Sequence, residues 1–105
     1  MTLLATMIAL VPASLTAGTV TTTAYSPCSS GTITASGERV HDGVAAANWL
    51  RLGTRIRVWP PAFGRTLYVV LDRVGYGTSL DLYTTSCTAA VRFGRRLERV
   101  TILGR

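Results

Sequence analysis

Apolar residues in this chain fall in short runs broken by glycine, proline and serine, a rhythm of strands and turns. Thr19 to Tyr25, "TVTTTAY", is rich in β-branched residues and predicts a first strand. Ser26 to Gly31 is a turn-rich loop, and Thr34 to Gly43 a loop or short hairpin. "VAAANWL" is a short apolar segment of ambiguous type. In "RLGTRIRVW", Ile56 and Val58 take one face and Arg55, Arg57 and Trp59 the other, as in a half-buried strand that Pro60 and Pro61 end. "TLYVVLD", Thr66 to Asp72, is a nearly continuous apolar strand, and "SLDLY" another. Ser86 predicts a helix N-cap for "CTAAVRFG", with Gly94 as its stop and Cys87, Ala90 and Val91 on its buried face. "RVTIL", Arg99 to Leu103, alternates and closes the series. Many short strands and one short helix predict a mainly β fold, a small closed barrel.

Composition narrows the class. A chain of 105 residues makes one domain with a modest core. Its 48% hydrophobic and 15% charged content excludes a disordered chain. The net charge of +6 comes from arginine, with no lysine, and favours anionic partners: nucleic acid, acidic lipid or acidic cell-wall polymer. No charged residue precedes Glu38. The apolar run Leu3 to Val11 is too short to span a bilayer. Its length suits a signal-peptide core, with small residues at Ala13 and Ala17, although the positive start is missing. Residues 1–18 are therefore expected to be a degenerate export signal or, second, an apolar N-terminal strand, with the folded domain over residues 19–105. Cys28 and Cys87 have no metal-ligand spacing. In an exported protein they are expected to form a disulfide, and in a cytosolic one two buried thiols.

Two of only five acidic residues, Asp72 and Asp81, lie in "VVLDRVGYGTSLDLY". Strand alternation turns Asp81 outward with Ser79 and Tyr83, away from Leu80 and Leu82. It likewise groups Leu67, Val69 and Leu71 on one face and Tyr68, Val70 and Asp72 on the other. On spacing alone the two are ordinary solvent-facing acids. The sharper reading is a general acid whose pKa is raised by partial burial and by a second carboxylate, as glycosidic bond cleavage requires. Gly75 and Gly77 between them would let a sugar ring approach the backbone.

The ordered segments "TAYSP", "TASGERV", "LGTRIRV", "VVLDRVGYGTSLDLY" and "AAVRFGRR" resemble the 3D domain. This is the six-stranded double-psi β-barrel of bacterial membrane-bound lytic transglycosylase A, and it is similar to rare lipoprotein A and expansin-like barrels. The resemblance covers about Thr22 to Leu103. It implies that Asp72 and Asp81 are the second and third of the aspartates that name the family, with Asp81 as catalytic acid. Tyr25, Thr34, Ser36, Gly75, Gly77 and Tyr83 fall in its substrate groove. The first aspartate is missing: "VAAANWLRLGT" offers Ala46, Ala47 and Asn48. The resemblance thus implies a lytic transglycosylase-like enzyme acting on peptidoglycan without cofactor or metal. Its alternative is a non-catalytic module that binds or loosens wall glycan.

Other residues carry weaker signals. His41 is a lone histidine in a polar loop, with no second ligand in view. Trp49 and Trp59 belong to a core or its rim, or stack on sugars. Arg92, Arg95 and Arg96 form a basic cluster, either a solvated face or an attractor for anionic wall polymer. Nucleic acid ranks last as a partner, because no recognisable motif accompanies the scattered arginines. An extracytoplasmic monomer with no transmembrane span is expected.

Overall fold

The computed structural model describes residues 17–75 and 78–105. Residues 1–16 lie outside it, and with them most of the expected signal segment. Six strands close into a barrel: β1 (Ala17–Tyr25), β2 (Val44–Ala46), β3 (Arg55–Ala62), β4 (Arg65–Asp72), β5 (Leu80–Tyr83) and β6 (Arg96–Gly104). The order around the barrel is β1-β5-β2-β4-β3-β6. β1 with β5 and β2 with β4 are parallel; the other four ladders are antiparallel. This mixed order is compatible with a double-psi barrel. Closure pairs every strand on both sides and leaves no edge exposed. Among the described residues one helix, α1 (Cys87–Phe93), follows β5. No helix among the described residues is long and apolar enough to cross a membrane.

Alternation builds the interior. Ile56, Val58, Val70, Leu80 and Leu82 are fully buried in one cluster, while Arg55, Arg57 and Arg65 stay outside. β3 runs through Pro60 and Pro61 to Ala62 rather than ending at them. The prolines are tolerated because the β3–β4 register slips between Arg57 and Ala62, so no β4 partner needs their missing N–H groups. Phe63 and Gly64, both at positive φ, then form the tight hairpin turn into β4.

Ser86 caps α1 by accepting the Ala89 N–H at 3.1 Å, and the helix stops at Gly94. Its inserted residue is Phe93, not the expected Val91, which is 82% exposed. So short a helix touches the barrel mainly through its ends. Phe93 joins the core cluster, and Cys87 is bonded to Cys28 with their Cα atoms 5.9 Å apart. That disulfide ties the loop after β1 to the start of α1.

A second, outer cluster packs Tyr25, Val44, Ala46, Leu71 and Tyr83. It covers the face on which both aspartates sit.

Candidate functional site: two carboxylates flanking Ala46

β5, β2 and β4 are neighbours, and Ala46 is paired on both sides: with Asp81 across the antiparallel ladder and with Asp72 across the parallel one. Directly paired residues project to the same face. Asp81 and Asp72 therefore flank a methyl group, with their backbones two ladder spacings, roughly 10 Å, apart. On the far side of β5, Thr23 pairs with Asp81 and Tyr25 with Tyr83.

β4 supplies Asp72 by an irregularity. Ala45 pairs with Val70 but Ala46 pairs with Asp72, so Leu71 is an extra residue in the ladder. Tyr68 and Val70 face the barrel interior, and simple alternation would send Asp72 there too. The bulge at Leu71 turns it to the outer face instead. The expected outward face of Tyr68, Val70 and Asp72 is thus corrected: Tyr68 and Val70 are buried in the interior, and Asp72 alone of the three faces out.

Each carboxylate has its own donors. Asp72 Oδ1 accepts the backbone N–H groups of Ala35 and Arg73, each at 2.9 Å, and Oδ2 accepts the Tyr25 hydroxyl at 3.2 Å. Asp81 Oδ1 accepts the Thr23 hydroxyl at 3.0 Å. Partial burial raises the Asp81 pKa, the Thr23 hydrogen bond opposes this, and the Asp72 charge adds to the rise. Tyr25 is also pushed up, first by burial and then by Asp72, and so stays a neutral donor. Its ring meets Tyr83 edge-on, with centroids 5.2 Å apart.

The other predicted positions divide. The Thr34–Glu38 hairpin docks on β4, where Ser36 N–H donates to Leu71 O at 3.0 Å. The Thr34 and Ser36 hydroxyls lie 2.7 Å apart and that of Thr34 also donates to Glu38 O, so both serve the turn that delivers Ala35 to Asp72. Gly75 is exposed, and a Cβ there would meet nothing. Gly77 lies outside the described residues. His41 is exposed, just before the turn at residues 42–43, and among the described residues no His, Cys, Asp and Glu group suits a metal.

Some contributors are not apparent from motifs. Thr23 becomes visible only through its shared strand face with Tyr25. Asn48 and Val74 exchange two hydrogen bonds, at 2.9 and 3.0 Å, and Arg73 Nη1 donates to Ala47 O and Leu50 O. Trp49 Nε1 donates to Ser79 O at 2.8 Å while the residue stays 48% exposed. These bonds stitch the loop after β2 to the segment after β4, forming the rim beside Asp81. Trp59 is 57% exposed on another part of the barrel, so neither tryptophan is a core residue.

Both carboxylates are partly buried beside the cluster of Tyr25, Val44, Ala46, Leu71 and Tyr83. Two recesses lie elsewhere: one between Arg55, Arg65 and Leu67, the other between α1, Phe63 and Arg96. No family profile matches the chain, and no curated protein matches it either.

Proposed function

We propose that the Asp81–Ala46–Asp72 face acts on the glycan strand of peptidoglycan, with Asp81 as the general acid of a lytic transglycosylase-like cleavage. The observation that carries this reading is the pairing of both aspartates with one residue, Ala46, which puts a carboxyl of raised pKa and a fully hydrogen-bonded carboxylate on one face. An acid with a raised pKa stays partly protonated at higher pH and can donate to a leaving oxygen.

In this mechanism Asp81 gives its proton to the glycosidic oxygen as the bond to the anomeric carbon breaks. The resulting carboxylate then takes the proton of the sugar's own primary hydroxyl as that oxygen attacks the same carbon and closes an anhydro ring. The proton lost in the first half is regained in the second, and no water, metal or cofactor is consumed. Asp72, whose oxygens are held by Tyr25 and two backbone N–H groups, orients the sugar and sustains the Asp81 pKa through its charge. Digestion of purified sacculi with mass analysis tests the reading: release of anhydro-sugar fragments by the wild type, lost in Asp81→Asn, is expected. Equal release by Asp81→Asn ends it.

One observation favours a second reading. The segment with Ala46, Ala47 and Asn48 holds no acid where the resemblance leads one to expect a third carboxylate, which suits a module that binds wall glycan without cutting it. Trp49 would then be its anchor, because its indole is fixed by Ser79 yet half exposed, as a sugar-stacking ring requires. Co-sedimentation with sacculi without soluble product, lost in Trp49→Ala, distinguishes this outcome. An exported location, in keeping with the Cys28–Cys87 bond, belongs to both readings.

A further inference from the structure

We propose that the recess between β3, β4 and the His41–Gly43 turn binds a compact aliphatic ligand through a terminal carboxylate, of the kind a short alanine peptide carries. This site contains neither Asp72 nor Asp81 and does not rest on the glycan reading.

The recess has a volume of about 290 Å³. Its walls are aliphatic: Ile56, Leu67, Val69 and Leu103. Leu67 is 54% exposed between arginine-bearing stretches of two strands, an apolar surface left open among the described residues. Two guanidinium groups, from Arg55 on β3 and Arg65 on β4, also line the recess. Neither forms an ion pair among the described residues; Arg55 makes one long hydrogen bond, to Arg105 O at 3.5 Å.

Arg65 reaches past Gly43 and Tyr68. Its guanidinium lies so close to Gly43 that a Cβ there would come within 2.5 Å of Nη1, and Gly43 adopts a positive φ of 96° that disfavours side chains. On another side the group lies 5.9 Å from the centre of the Tyr68 ring, which is itself fixed by a 2.8 Å hydrogen bond to Ala62 O. Burial pushes the Tyr68 phenol up to about 12, so this ring adds no negative charge. Asp42 is the one acid in the lining, and its oxygens are engaged by Thr85, through the backbone N–H at 2.9 Å and the hydroxyl at 3.3 Å.

Two guanidinium groups beside an aliphatic wall suit a planar carboxylate on a small alkyl body. A polyanion would find too little room and the wrong walls. A neutral aliphatic group would leave the arginines unused.

The test is titration of the isotope-labelled chain with acetyl-alanyl-alanine as free acid and as C-terminal amide, read by backbone amide shifts. The free acid is expected to shift Gly43, Leu67 and Val69 and to bind at least tenfold more tightly than the amide. Arg65→Gln is expected to weaken the free acid about tenfold, whereas Arg92→Gln, on α1, leaves it unchanged. Gly43→Ala should resemble Arg65→Gln; if that buried variant does not fold, the exposed variants Arg55→Gln and Arg65→Gln decide. Equal binding of acid and amide overturns the proposal, as do shifts confined to other residues or no shift at millimolar peptide. Inorganic phosphate moving the same amides while the peptide does not also overturns it.

Discussion

Ala46 stands directly across from Asp81 in the β2–β5 ladder, and its other neighbour is Asp72. It is 2% exposed, on the one strand that lies between the two carboxyl-bearing strands. Ala46→Asp would place a third carboxyl between them, poorly hydrated and beside like charges. It is expected to destabilise the barrel by about 1–3 kcal/mol at neutral pH, and by less near pH 4 where the new group is neutral. Urea unfolding at the two pH values checks this. If the face is catalytic, the same variant should move the acidic pKa of Asp81 further up.

The Thr23 hydroxyl lowers the pKa of Asp81 against the larger effect of burial. Thr23→Val keeps the shape and removes the donor. Asp81 should then hold its proton to higher pH, and any activity requiring the protonated form should decline at higher pH than in the wild type. Carboxyl carbon shifts followed through a pH titration check the shift without reference to activity.

Tyr25 supplies one of the three hydrogen bonds to Asp72. Tyr25→Phe retains the edge-on contact with Tyr83 and two backbone donors. A loss of about 1 kcal/mol is expected from denaturant unfolding, rather than collapse of the site.

Glu98 is fully buried on β6, and neither carboxyl oxygen has a hydrogen-bond partner among the described residues; Arg96 Nε lies 3.9 Å away. Burial raises its pKa, and Arg96 opposes the rise less strongly. A raised carboxyl pKa means that the folded state binds the proton more tightly than the unfolded one. This group therefore favours folding below its unfolded pKa and loses that contribution as pH rises through the folded value. Glu98→Gln is expected to raise stability at pH 7 by about 1–3 kcal/mol, with the difference closing towards pH 4. Thermal unfolding across that range measures it.

The disulfide closes a loop over a separation of 59 residues. Replacing both cysteines with serine, or reducing the bond, is expected to cost about 4 kcal/mol in the chain-entropy account. Unfolding with and without reductant checks it.

Much of the fold was legible because each strand carries its own period. Ile56 and Val58 against Arg55 and Arg57, and Leu80 and Leu82 against Asp81, follow alternation that depends only on backbone geometry. Ser86 and Gly94 marked the helix through local capping chemistry. Val91 was misjudged because helical period identifies a face but not whether any surface is near enough to cover it. Pro60 and Pro61 were misjudged because a proline ends a strand only where a partner needs its N–H group.

The sequence by itself determined the strand-rich class, the cap of α1, and the outward direction of Asp81, all set by neighbours within a few residues. Only the tertiary structure decided that Ala46 lies between Asp81 and Asp72. Which strands become neighbours depends on barrel closure, and the bulge at Leu71 is a mismatch between two strands, absent from the pattern of either alone. Asp72 reaches the outer face through that mismatch, and Arg65 reaches its recess through the space left at Gly43, twenty-two residues away in the chain.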